Sequence, residues 1–296
     1  MTEKIDFRGL EAARILNDKG DEVILLYGVG PRIISFKPEG SKNFFYINDD
    51  DFKRVDSSEG WKIYGGTRLW TSVESKWSYL PDNDKCDIEI GENYIEVVSK
   101  TNPETLLQKS LKVEAINNAF KVTYSIKNDG DYLITAGLWA LSCLKPGSAS
   151  EIYLPWGEDS PWNVKDMKYW RAWISSCSDI KSKQWNPTNE FFIIKPTGEV
   201  GKVGFTNRWG YAIFKNEKIN FVKLSDYIEG AFYPDDGCSF ELYTCKDFYE
   251  LESLSPIFAM KPKRTYYHTE VWWAGTKDIP TNTIKESYSE IKKLFL

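Results

Sequence analysis

Three glutamates near the end of the chain are spaced in a way that acid/base chemistry can use. The segments Ser239-Phe240-Glu241-Leu242-Tyr243-Thr244-Cys245 and Phe248-Tyr249-Glu250-Leu251-Glu252-Ser253-Leu254 alternate polar and apolar residues about Lys246-Asp247, the pattern of a β-hairpin. A two- or four-residue loop pairs Tyr243 with Glu250 and Glu241 with Glu252. Glu241, Glu250 and Glu252 then share one face, and Phe240, Leu242, Tyr249 and Leu251 face the core. A three- or five-residue loop breaks that pairing. Carboxylates opposed across a ladder repel, so one of them is expected to have its pKa raised toward the range useful for proton transfer. The three glutamates are therefore candidate catalytic groups, and Tyr243 beside them is a candidate substrate contact. A solvated polar face on an edge hairpin is the structural alternative.

A second stretch, Trp61-Lys62-Ile63-Tyr64-Gly65-Gly66-Thr67-Arg68-Leu69-Trp70, sets a guanidinium among aromatic rings after paired glycines. Glycines allow a sharp turn or a close backbone approach, and arginine can offer forked donors to vicinal hydroxyls or to a carboxylate. Arg68, Trp61, Tyr64 and Trp70 are candidate substrate-binding residues for a polyhydroxylated ligand, with Trp77 nearby; a turn whose arginine forms a structural salt bridge is the alternative. Asp82-x-Asp84-x-x-Asp87 resembles the opening of a calcium loop but lacks its glycine and terminal glutamate. A third stretch, Tyr233-Pro234-Asp235-Asp236-Gly237, is a proline turn whose aspartates, Asp236 above all, could reach a ligand hydroxyl, although turn chemistry alone accounts for them.

The rest of the composition narrows the chemistry. His268 is the single histidine, which leaves little room for a Ser-His-Asp triad or a histidine zinc site, and an imidazole among tyrosines is expected to be a packing residue. The five cysteines are odd in number and show no Cys-x-x-Cys, so reduced thiols are expected, with no metal and no cofactor. A net charge of -5 disfavours nucleic acid, and no apolar run is long enough to span a membrane. The charged start gives no sign of a signal peptide and points to a cytoplasmic location. Twelve Trp, 17 Tyr and 16 Phe suit the apolar faces of sugars, and packing in a large β-rich core is the alternative account of them; the expected partner is a small sugar or oligosaccharide.

To position such groups the sequence offers short β-branched and aromatic segments broken by Gly, Pro, Asn and Asp: Val23 to Leu26, Arg32 to Phe36, Tyr94 to Val98, Phe120 to Ile126, Phe191 to Ile194, Ala212 to Phe214 and Phe221 to Leu224. These predict an all-β fold of mainly antiparallel strands. Ile284, Tyr288, Ile291 and Leu294 follow helical spacing behind Thr283 and Glu286, which predicts a C-terminal helix over about 283–295 packed outside the sheets. A helical turn is also expected around Gly9 to Ala13. No repeat or linker divides residues 1–296, so a single domain is expected.

Taken in order, Tyr64-Gly65-Gly66-Thr67-Arg68-Leu69-Trp70, Pro81-Asp82-Asn83, Ala231-Phe232-Tyr233-Pro234-Asp235-Asp236-Gly237-Cys238, Glu250-Leu251-Glu252-Ser253-Leu254-Ser255-Pro256 and His268-Thr269-Glu270-Val271-Trp272 resemble a family related to the galactose mutarotase-like, or aldose 1-epimerase, proteins over roughly residues 20 to 274. The resemblance implies a large antiparallel β-supersandwich with a sugar cleft across one sheet. It also implies an isomerase in which a late glutamate takes the proton of the anomeric hydroxyl, a histidine protonates the ring oxygen, and a second histidine and an arginine hold the sugar. Glu252 matches that glutamate and Arg68 the arginine. The chain departs from the pattern where relatives often read Tyr-Gly-Gly-His-Arg-Leu-Trp, since it carries Thr67, and around Gly137-Leu138-Trp139-Ala140-Leu141, which has no histidine. Three functions follow as expectations: an aldose or sugar-derivative epimerase with Glu252 as base, a non-catalytic carbohydrate-binding protein that keeps the cleft, and a lyase or glycosidase using two of the glutamates.

Overall fold

The computed structural model describes residues 1–54, 60–147, 149–157, 162, 164–173, 176–217 and 219–295. Among them, most strands fall into two large antiparallel sheets. The first runs, edge to edge, Thr2–Phe7, Leu10–Leu16, Glu22–Leu26, Arg32–Lys37, Thr67–Ser72, Ile134–Leu144, Tyr249–Leu254, Phe240–Thr244, Gly201–Phe205 and Met167–Tyr169, with Phe258–Met260 paired to the start of Ile134–Leu144. The second runs Trp185–Pro187, Phe191–Ile194, Glu151–Pro155, Tyr211–Lys215, Asn220–Leu224, Thr265–Gly275, Ala119–Asn128, Leu107–Ile116, Tyr94–Val98 and Asp87–Ile90. Alternation along each strand sends one set of apolar side chains between the sheets. Phe36, Leu69, Leu138, Leu242 and Leu251 from the first sheet meet Phe120, Val122, Phe214, Phe221 and Trp272 from the second in one continuous core.

Each strand expected from the sequence is present, within a residue or two at its ends. The C-terminal helix spans Ile284–Lys293, with the Thr283 side chain accepting from the Glu286 amide. Ile284, Ile291 and Leu294 pack against Tyr211, Ile213 and Trp273 on the outer face of the second sheet. The helical turn expected around Gly9 to Ala13 is overturned: Leu10–Leu16 is a strand paired to Thr2–Phe7. Arg8 and Gly9 both take positive φ, 57° and 85°, and close the tight turn that a two-residue hairpin requires. Apolar residues on both sides of that strand had imitated a helical period. No helix among the described residues is long and apolar enough to cross a membrane.

Candidate functional site

The hairpin forms in the expected register, through a connection of Cys245 to Phe248, with Glu241 opposite Glu252 and Tyr243 opposite Glu250. It is not an edge hairpin, because Tyr249–Leu254 also pairs with Ile134–Leu144, which pairs in turn with Thr67–Ser72. Two rows of side chains therefore cross the outer face of the first sheet. One runs Arg68, Leu141, Glu252, Glu241 and Gly204, and the other Cys143, Glu250, Tyr243 and Lys202. A cavity of 350 Å³ opens on these rows, floored by Arg68, Leu141, Glu250 and Glu252 and walled by Trp61, Trp70, Tyr79 and Trp139. That volume lies in the range of small-molecule sites.

Main-chain packing fixes the wall that carries Trp61. Gly65 and Gly66 take φ of +102° and +65°, and a Cβ on either would lie 2.0 Å from the Tyr46 carbonyl oxygen or 1.9 Å from that of Ile33. The preceding turn is held by the buried Asp51, which accepts from the amides of Ile63 and Tyr64 at 3.0 and 3.1 Å, and by Arg32, which donates to the Ile63 carbonyl at 2.9 Å and pairs with Asp82 at 2.6 Å. On the opposite side Ser75 caps the short helix Lys76–Tyr79, which brings the Tyr79 hydroxyl to Glu74 at 2.5 Å.

The charges in the cavity are closely spaced. Arg68 pairs with Glu250 at 2.7 Å, and its guanidinium lies 4.2 Å from the Trp70 ring centre and 5.4 Å from that of Trp61. Burial alone would lower its pKa, but Glu250 raises it, so Arg68 stays charged; its buried Nε has no hydrogen-bond partner among the described residues. Lys202 lies 3.0 Å from Glu241, 3.7 Å from Glu252 and 3.9 Å from Glu74, over the Trp139 ring at 4.4 Å. Burial works against its charge, and these carboxylates more than restore it. Glu252 accepts from the Trp139 indole N–H at 2.7 Å. Burial, with Glu241 and Glu250 adding to it against Lys202, pushes its pKa well above the usual carboxylate range. Burial likewise pushes Glu241 up to about 7 against the pull of Lys202. Two carboxyl groups that share a lysine and face each other across a ladder titrate as a pair, so one can hold a proton while the other accepts one.

Of the residues singled out in the sequence, Arg68, Trp61, Trp70, Tyr243, Glu250 and Glu252 line this cavity. Glu241 is fully buried beside them beneath Lys202. Tyr64 does not join them: with φ of 49° its ring turns away to pack on Phe52 and under Arg32, at 5.5 and 4.9 Å. Asp236 points to solvent and pairs with Lys168, whereas its neighbour Asp235 borders an adjoining hollow. Trp77 is partly exposed and lines a separate pocket beside Gly30 and Pro31. Asp82 serves Arg32 rather than a calcium loop. His268 lies between the sheets, 2.7 Å from the Ser253 hydroxyl, with burial lowering its pKa to about 4. Thr67 also points inward, to the Ser142 hydroxyl at 2.8 Å, so a side chain at that position faces the core rather than the cavity. Sequence reasoning missed Lys202, Tyr79 and Trp139. Trp139 stands in the stretch where a histidine was expected, while Lys202, in Gly-Lys-Val-Gly-Phe, carries no local signal.

By sequence the chain matches no protein-family profile and no curated protein. By structure it is similar to an inferred aldose 1-epimerase of Escherichia coli K12, at TM-score 0.62 and 10% identity over 94% of this chain and 100% of that one. It is also similar to galactose mutarotase-like proteins of Lactobacillus casei, at TM-score 0.61 and 8% identity over 89% and 99%, and of Clostridium acetobutylicum, at 0.57 and 13% over 94% and 99%. At such identities the likeness establishes the fold: a galactose mutarotase-like β-sandwich.

Proposed function

From this galactose mutarotase-like fold, we propose that the protein binds a sugar in the cavity over Arg68 and Glu252 and interconverts its anomers, with Glu252 as the proton-transfer group. The observation that carries the reading is the placement of Glu252: a cavity-lining carboxyl with a raised pKa, held by the Trp139 N–H and 3.7 Å from the Lys202 ammonium. In its ionised form Glu252 takes the proton of the anomeric hydroxyl as the bond from the anomeric carbon to the ring oxygen breaks. The negative charge that develops on the ring oxygen falls to Lys202, and its proton comes from water in the open cavity. Rotation of the free aldehyde and the reverse proton transfers close the ring on its other face. Arg68, backed by Glu250 and lying against the Trp70 and Trp61 indoles, orients hydroxyls, and the tryptophans cover the apolar face of the ring.

Polarimetry of freshly dissolved α-galactose and α-glucose tests this. Wild-type protein accelerates the approach to equilibrium and Glu252→Gln does not; equal acceleration by both proteins overturns the assignment. One observation favours a binding protein without turnover: the only histidine lies between the sheets, so no imidazole lines the cavity. Calorimetric sugar binding with no acceleration by the wild type would select that reading.

A further inference from the structure

The cavity does not end at Lys202. A second hollow of 630 Å³ adjoins it, sharing Glu74, Tyr79 and Lys202 and bordered on its far side by Trp170, Asp235 and Ser75. The Trp170 ring sits over Gly204, where a Cβ would come within 3.1 Å of it and 2.6 Å of Cys238 Sγ, so a side chain at the end of the Arg68 row would crowd the indole. The Lys202 ammonium lies at the junction, 4.4 Å from the Trp139 ring centre on one side and 5.0 Å from that of Trp170 on the other. A tryptophan bordering a hollow next to a carboxylate acceptor is what a pyranose ring requires: an apolar face to stack on and an acceptor for its hydroxyls.

The charges define the ligand further. The cations deepest in the cleft are already matched, Arg68 to Glu250 and Lys202 to Glu241, Glu252 and Glu74. Glu74, Glu252 and Asp235 border the open space and outnumber Lys76, the further cation that lines the second hollow, so a phosphate or uronate would meet more carboxylates than ammonium groups there. Resting on the sugar reading above, we propose that the two hollows are adjoining subsites for a neutral disaccharide or the reducing end of a longer neutral oligosaccharide. One ring lies over Arg68, Glu252 and Trp139, the next lies against Trp170 and Asp235, and the linking oxygen lies at the Lys202 ammonium.

Isothermal titration of the full-length protein with maltose, cellobiose, lactose, xylobiose, mannobiose and galactobiose, each against its reducing-end monosaccharide, tests the proposal. At least one disaccharide is expected to bind about tenfold tighter than its monosaccharide, equivalent to about 1.4 kcal/mol. Trp170→Ala is expected to cost that disaccharide about tenfold more than it costs the monosaccharide. The second subsite is overturned if no disaccharide exceeds its monosaccharide, or if Trp170→Ala weakens both equally; glucose 6-phosphate binding tighter than glucose overturns the neutral assignment. Monosaccharide binding alone leaves the first hollow's reading standing, and the second subsite alone fails. If sugars of neither size bind, both readings fall. Glu252→Gln should stop mutarotation yet keep the disaccharide preference, which separates failure of the chemistry from failure of the subsite.

Discussion

Two buried lysines lie on opposite faces of the first sheet. On the cleft side Lys202 faces Glu241, Glu252 and Glu74, more carboxylates than one ammonium can match, and its pKa is raised despite burial. On the inner side Lys223 reaches across from the second sheet to a single carboxylate, Glu270, at 3.0 Å, both side chains fully buried, and burial lowers its pKa against the pull of Glu270. The inner cluster is closed: Lys223 also donates to Ser142 and to the Leu251 carbonyl at 2.8 and 2.9 Å, and Glu270 accepts from Tyr124, Trp272 and Ser253. The cleft cluster has like charges side by side and space above them. A matched network rigidifies, whereas an overcharged one keeps proton affinity and hydrogen-bonding capacity for a ligand. The two are joined through the backbone, because Leu251 and Ser253, which the inner cluster holds, flank Glu252.

That contrast can be broken by substitution. The largest effect is expected from Glu252→Gln, which should cut the rate of anomer interconversion by about 10²- to 10⁴-fold while the protein melts no earlier, since a buried carboxyl with a raised pKa is no asset to stability at neutral pH. Lys223→Met should do the reverse: stranding Glu270 costs about 3–5 kcal/mol in urea unfolding, with turnover per folded molecule retained. If Lys202→Met costs as much stability as Lys223→Met, the two faces do not differ as described.

Acid should separate the faces as well. The folded pKa of His268, about 4, lies below the ordinary 6.5, so the unfolded chain takes the proton first. Stability is therefore full above pH 6.5 and falls as the pH drops from there toward 4, by about 3 kcal/mol if this shift acts alone. His268→Gln should flatten that slope, as read from unfolding midpoints at a series of pH values. On the cleft side, with Glu252 as the proposed base, the rate is expected to rise with pH through its raised pKa. The smallest effect is expected from Trp139→Phe. Losing the N–H bond that favours the carboxylate should move the rise of the pH–rate profile to higher pH and lower the rate at neutral pH by up to about tenfold. An unmoved profile would mean that Trp139 does not set the charge state of Glu252.

The parts of the site legible in the sequence were those encoded locally. Alternation and a short turn predicted the pairing of Glu241 with Glu252, and paired glycines marked the approach to Arg68. What escaped depended on partners far along the chain. Lys202 reaches the glutamates only because Gly201–Phe205 pairs with Phe240–Thr244, and Tyr79 arrives on a loop whose path no pattern announces. Tyr64 and Asp236 were misplaced because each lies in a run of three positive-φ residues, Tyr64 to Gly66 and Asp235 to Gly237, where side chains do not alternate as they do along a strand. Thr67 shows the same dependence on facing: its departure from the Tyr-Gly-Gly-His-Arg-Leu-Trp pattern carries less weight once its side chain is seen to enter the core.

The connection from Cys245 to Phe248 has a genetic consequence. The Lys246-Asp247 tip is exposed, so a codon inserted there only lengthens the loop and leaves Glu241 opposite Glu252. Inside Phe240–Thr244 or Tyr249–Leu254 side chains alternate, and one inserted codon bulges the strand or turns every side chain beyond it to the other face, exchanging Leu242 and Leu251 with the carboxylates. Two codons restore the phase. A library of insertions along these strands should therefore show fitness that rises and falls with period two, a form of inheritance by parity in which the number of residues matters more than their identity.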